Sequence, residues 1–151
     1  MLVLTGGAAH AQDTLRKKEV NGDSIVAYAR TFMGTPYSYG CCNPKSGFDC
    51  SGFTYYVYGH FGIEVPRASA AYGNFGKKIP IDSARKGDII VFTGTKRGDK
   101  RPGHVGIVVS EKGQSLQFIH ASSSKKHCGV VLTDYYNSEY PRRFIKVIRV
   151  L

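Results

Sequence analysis

The 151 residues fit one domain of roughly 100–200 residues and leave no room for a second catalytic module. With 42% hydrophobic and 12% aromatic residues the chain is not disordered, and no apolar run approaches the ~18 residues of a membrane span. An excess of 21 Lys+Arg over 11 Asp+Glu, net +10, points to an anionic partner without saying which.

The chain opens on small and apolar residues, and Ala9-His10-Ala11 has the small-x-small pattern that precedes a signal-peptidase cut. Residues 1–11 are therefore expected to be a truncated secretory signal peptide, 12–21 a polar spacer and 22–151 the domain. Such a leader implies export to the periplasm, the cell envelope or beyond; with no cysteine at the cut, it does not imply a lipoprotein. Asn21 or Asp23 can cap a helix running to Phe32 or Met33, with Ile25, Ala29 and Phe32 along one face and Gly34 and Pro36 ending it. A Gly/Pro/Asn-rich loop, Thr35 to Phe48, follows. A second helix is predicted from Asp49 through Phe53, Tyr56, Val57 and Phe61, stopped at Gly62, and a short third one over Ala68 to Tyr72.

Beyond Lys77 the period changes from 3.6 to 2. Asp88 to Thr93, His104 to Ser110, Ser115 to Ala121, Gly129 to Leu132 and Phe144 to Val150 read as strands separated by turns. Helices first and strands second give an α+β fold, with N-terminal helices packed on a C-terminal antiparallel sheet of about five to six strands. Cys41, Cys42, Cys50 and Cys128 follow no C-x-x-C spacing, which disfavours a zinc ribbon or a thioredoxin motif. In an exported chain one pair, such as Cys42 with Cys128, could oxidise, and the spacing does not decide it.

An attacking thiol must ionise, and a free cysteine with a pKa near ~8.5 is mostly protonated at neutral pH. Cys50 falls in the first turn of the second helix, where the macrodipole and free N–H groups favour a thiolate. An imidazole nearby would act as base and ion-pair partner. His104 opens one strand and His120 lies near the end of the next. A three-residue hairpin loop, Glu111-Lys112-Gly113 with Gly113 left-handed, would pair 110 with 114 and so 104 with 120. Directly opposed residues share a face, which makes the two histidines neighbours. His104 would then take the Cys50 proton, and His120 would hold its tautomer. The competing readings are a buried structural cysteine with two satisfied histidines, and zinc on Cys41, Cys42, His104 and His120, for which vicinal cysteines are awkward paired ligands.

Six ordered segments surround these residues: Gly34-Thr35-Pro36-Tyr37-Ser38-Tyr39-Gly40, Phe48-Asp49-Cys50-Ser51-Gly52-Phe53, Val65-Pro66-Arg67-Ala68-Ser69, Lys86-Gly87-Asp88-Ile89-Ile90-Val91-Phe92, Gly103-His104-Val105-Gly106-Ile107 and Phe118-Ile119-His120-Ala121-Ser122. Together they resemble the NlpC/P60 family of cell-wall cysteine peptidases, which have a papain-like fold. The resemblance covers about Ile25 to the C-terminus. It implies Cys50 as nucleophile, His104 as base and His120 as third member. The resemblance also implies Tyr37 beside the oxyanion and Asp49, Ser51 and Ser69 lining the subsite before the scissile bond, where such an aspartate can bind a free α-amine. Asp49 and Ser51 can equally serve as helix caps, and Asp88 reads as a structural turn residue. One departure stands out: Tyr39-Gly40-Cys41 replaces the family's usual Trp-Gly-Gly, giving up glycine's backbone freedom at Cys41.

The resemblance implies a secreted hydrolase that needs no cofactor and no metal and cuts an amide in peptidoglycan stem peptides or muropeptides. The γ-D-glutamyl bond to diaminopimelate or lysine is the leading target. A D-Ala-diaminopimelate cross-link, or acyl transfer or amidase chemistry on the same fold, are the alternatives. No nucleic-acid motif accompanies the charge, so the anionic partner is read as the cell-wall surface. His60 reads as a helix C-terminal dipole contact and His127 as an exposed loop residue. The basic loop Lys96 to Arg101 is either a cleft rim or a solvated turn.

Overall fold

The computed structural model describes residues 20–151. The expected signal peptide and most of the spacer lie outside the described residues. Helix α1 (Gly22–Arg30) starts where Asn21 accepts the Ser24 N–H, and it buries Ile25, Val26 and Ala29. The loop that follows holds a short hairpin, β1 (Cys42–Asn43) with β2 (Gly47–Phe48). Helix α2 (Cys50–His60) begins at the Asp49 cap and buries Phe53, Val57 and Tyr58. The short third helix is a 3₁₀ segment, Ser69–Asn74.

Six strands form one antiparallel sheet in the order β3-β8-β4-β5-β6-β7. Five match the predicted ones: β4 (Ile89–Thr93), β5 (Pro102–Val108), β6 (Gln117–Ser122), β7 (Gly129–Asp134) and β8 (Phe144–Arg149). The sixth, β3 (Lys77–Ile79), is an edge strand too short to carry a period-2 signal. The fold is α+β and papain-like, as expected.

Residues alternate between two cores. Ile89 and Val91 of β4, Val105 and Ile107 of β5, and Ile119 and Ala121 of β6 pack with α1 and α2. Ile90, Phe92, Val108 and Phe118 face the other way, against Tyr135, Val147, Tyr140 and Phe144. Asp88, nearly fully buried, is held by Arg149 at 3.0 and 2.9 Å and accepts the Arg85 N–H. Its role is structural, as the sequence suggested. His60 stacks on Tyr28, ring centroids 3.9 Å apart, and so belongs to the packing of α1 on α2.

The register between β5 and β6 differs from the expected one. Ile107 pairs with Ile119 and Val108 with Phe118, a shift of two residues, and continuing that ladder sets Gly106, not His104, opposite His120. The connection is wider than a three-residue hairpin. Ser110 Oγ accepts the Gln117 N–H, the Gln114 side chain accepts the Glu111 N–H, and Gly113 takes the left-handed conformation. A two-residue shift preserves the side-chain face, so His104 and His120 still point the same way.

Candidate active site

Asp49 caps α2 by accepting the Gly52 N–H at 2.6 Å, which leaves Cys50 as the first helical residue. The Cys50 Sγ lies 3.9 Å from the carbonyl oxygen of Gly103, the residue before His104. Cys50, His104, His120 and Tyr37 all line one cleft of about 1210 Å³. Cys50, His104, His120 and Tyr37, far apart in sequence, therefore share one surface.

The histidines meet diagonally across β5 and β6. His104 Nε2 and His120 Nδ1 are 2.9 Å apart, with the rings nearly perpendicular. Gly106 makes this possible: a Cβ there would lie 2.7 Å from the Phe118 ring and 3.3 Å from His120 Cβ. On its other side His120 Nε2 is 2.8 Å from Thr133 Oγ1 on β7. Tyr140 packs against both imidazoles, at 5.6 and 5.3 Å between ring centroids. The Arg143 guanidinium lies 5.0 Å from the Tyr140 ring and is anchored on the Thr93 carbonyl.

Burial dominates the electrostatics. It holds His104 well below the usual imidazole value, with His120 and Arg143 acting in the same direction. Burial and Arg143 together bring His120 down to about 3. Burial also pushes the Cys50 thiol up, helped by the Asp49 carboxylate. The backbone N–H groups of Ser51, Val105 and Cys50 itself oppose that rise without cancelling it. Position at a helix N-terminus thus does not by itself yield the expected thiolate. Each group resists ionising alone, but a proton passed from Cys50 to His104 creates opposite charges that compensate one another.

The expected subsite is arranged differently from that cleft. Arg67 grips Asp49 through both its terminal nitrogens, at 3.0 and 3.1 Å, and reaches Ser51 Oγ at 3.3 Å. With the Gly52 N–H and Ser51 hydroxyl on Oδ1 and the Gly40 N–H on Oδ2, Asp49 accepts three hydrogen bonds at one oxygen and two at the other. Such a carboxylate is saturated by its own chain and has no lone pair left for a substrate ammonium. Ser69 starts the 3₁₀ segment, is half-buried and is not among the residues lining the cleft. Cys41 keeps a negative φ, so the glycine that usually stands there is not needed for its conformation. All four cysteines are free thiols.

The sequence reading missed Thr133, Tyr140 and Arg143. A threonine in a strand and an arginine after Pro141 carry no signal of their own. His127 is exposed, as expected, and borders the cleft with Lys126. The basic loop lines a neighbouring hollow with Arg142 and Arg143, which joins the cleft at Gly94, Thr95 and Glu139.

Residues 34–149 match the NlpC/P60 family. The chain belongs to that family. It is 36% identical over 126 residues to the probable peptidoglycan endopeptidase LytE of Bacillus subtilis (strain 168), covering 83% of this chain and 34% of that protein. With the gamma-DL-glutamyl hydrolase of the same organism it shares 29% identity over 129 residues, 83% of this chain and 29% of the relative. The chain therefore spans about a third of the length of these curated relatives. Among solved structures, an NlpC/P60 family protein from Bacillus cereus ATCC 10987 superposes with a TM-score of 0.76 at 26% identity, over 87% of this chain and 41% of the other. The NlpC/p60 domain of the peptidoglycan hydrolase SagA superposes at 0.67 and 32% identity, over 87% of this chain and all 100% of that domain.

Proposed function

We propose that this chain is an exported cysteine endopeptidase that hydrolyses an amide bond of peptidoglycan stem peptides, the γ-D-glutamyl bond to diaminopimelate or lysine being the target. The observation that carries this reading is the convergence of Cys50, at a helix N-terminus, with the hydrogen-bonded His104–His120 pair on one cleft. The relatives' names point to the same chemistry and include a gamma-DL-glutamyl hydrolase.

In the proposed reaction His104 Nε2 is engaged by His120, leaving Nδ1 to take the Cys50 proton. The thiolate attacks the amide carbonyl, and the resulting oxyanion is met by the Cys50 N–H and the Tyr37 hydroxyl. His104 then protonates the departing amine, and water, deprotonated by the same imidazole, releases the acyl group from the Cys50 thioester. Because Asp49 is saturated by Arg67 and backbone donors, it serves as a brace for the loop before Cys50. With the Asp49 carboxylate occupied in this way, the reading is an endopeptidase that does not rely on Asp49 to grip a free α-amine. Ser51 and Ser69 remain proposed as subsite wall. The net charge of +10 supports adsorption to the anionic cell wall.

Digestion of purified sacculi and defined muropeptides, with products identified by mass, tests this. Wild-type protein should release fragments cut at the γ-D-glutamyl bond, and Cys50→Ala should release none while still binding sacculi in a salt-sensitive way. Wild-type cleavage by Cys50→Ala would sink the mechanism. Products cut at the D-Ala cross-link would replace the assigned bond with the alternative one.

A further inference from the structure

Thr133 ends a diagonal line of polar side chains that crosses three strands on one face of the sheet. His104 is on β5, His120 on β6 and Thr133 on β7, joined by contacts of 2.9 and 2.8 Å. Thr133 stands opposite Phe118 in the ladder, so it is the diagonal neighbour of His120. Diagonal neighbours lie about 7–8 Å apart at the backbone, within reach of an imidazole but not of a shorter pair.

Hydrogen-bond direction along this line follows from the chemistry. Once His104 has taken a proton, both its ring nitrogens carry hydrogen, so its Nε2–H must donate. Its neighbour at 2.9 Å, His120 Nδ1, must then be the unprotonated nitrogen. A neutral His120 with a bare Nδ1 carries its hydrogen on Nε2, and that N–H points at Thr133 Oγ1. The opposite tautomer would place two N–H groups head to head at the His104–His120 contact. A doubly protonated His120 is opposed by its burial and by Arg143. Tyr140, Phe92 and Phe118 complete the surroundings of the pair with rings, and Cys50 faces it across the cleft. Thr133 is thus the acceptor that makes the productive tautomer the resting one.

We propose that Thr133 is a positioning residue of this site, accepting the Nε2–H of His120 and so keeping His120 Nδ1 free to receive the His104 imidazolium. The inference rests on Cys50 and His104 being the nucleophile and base. The step it supports is one proton passing from Cys50 Sγ to His104 Nδ1, with no other bond made or broken.

The test uses Thr133→Val, which keeps shape but removes the acceptor, and Thr133→Ser, which restores it. Iodoacetamide alkylation of Cys50 is followed from pH 5 to 9 by mass spectrometry of the Cys50 peptide, because the other three cysteines are also free. It needs no peptidoglycan, so it stands or falls separately from the substrate assignment. Thr133→Val should slow Cys50 alkylation near pH 7 by about 10- to 100-fold, the range expected when a buried donor loses its partner. It should lower kcat on muropeptides by a similar factor with KM nearly unchanged. Thr133→Ser should recover most of both. Should Thr133→Val not fold, the wild-type protein still decides the matter. Long-range ¹H–¹⁵N NMR of the imidazoles should find His120 protonated at Nε2 and bare at Nδ1. A Thr133→Val protein with wild-type alkylation and kcat, or a wild-type His120 protonated at Nδ1, would overturn the proposal.

Discussion

The helix-covered face of the sheet and the opposite face are both buried, yet they are made of different materials. Against α1 and α2 the strands present Val105, Ile107, Ile119 and Ala121, with no histidine or charged side chain in the cluster. The opposite face mixes Phe92 and Phe118 with His104 and His120, and closes over them with Tyr140 and Phe144 from the end of the chain. Polar groups cost free energy when buried and recover it only through partners. Here the two imidazoles have each other and Thr133, while aromatic rings supply the remaining contacts. One face supplies cohesion alone, and the other also holds two imidazoles in a fixed orientation.

A pair of substitutions would break this contrast most clearly. His104→Gln should cut turnover by about 10²- to 10⁴-fold, the usual loss of a general base, with a urea midpoint at pH 7 close to wild type. Ile107→Ala, on the helix-covered side of the same strand, should cost about 2–5 kcal/mol of stability and leave Cys50 alkylation of the folded fraction unchanged. A large stability loss in the first variant and none in the second would invert the assignment of the faces.

Acid sharpens the same contrast. A histidine whose folded-state value lies below its unfolded one binds fewer protons when folded, so stability rises with pH across that interval. For His120 the interval runs from its ordinary 6.5 down to about 3, and His104 acts in the same direction. The contribution is intact above pH 6.5 and is lost as pH falls, at about 1.4 kcal/mol per pH unit for one such group. Urea unfolding between pH 7 and 4 should show this slope, and His120→Gln should flatten it by about one group. A smaller effect is expected at Gly106, where Gly106→Ala puts a methyl against Phe118 and His120. The cost should be about 1–3 kcal/mol, accompanied by slower Cys50 alkylation as His120 is displaced.

Much of this site was legible in the sequence because its parts sit at element boundaries that leave local signals. Asp49 announces the helix start, and Cys50 follows it. His104 and His120 were expected on one face, and they are, although the loop between them absorbs two more residues than a tight hairpin would. That loop is shaped by the side chains of Ser110 and Gln114, whose hydrogen bonds no periodicity reveals. Face survived the error because side-chain direction repeats every two residues. Thr133 and Arg143 were invisible for a different reason: their meaning comes from strands and turns brought together by the fold. At Cys50 the helix terminus can be counted from sequence, whereas the burial that pushes the thiol up cannot.

Two backbone hydrogen bonds tie the loop bearing Tyr37 to the start of β7, the strand that carries Thr133. Gly34 donates to the Val130 carbonyl and Val130 donates to that of Thr35, each at 2.9 Å. Gly129 permits this closeness, since a Cβ there would lie 2.6 Å from the Thr35 oxygen and its φ is +101°. The two walls of the cleft that carry Tyr37 and Thr133 are therefore stitched together along one seam. A jaw built on such a seam has its hinge already locked, so the width of the cleft at this edge is set by backbone rather than by side chains.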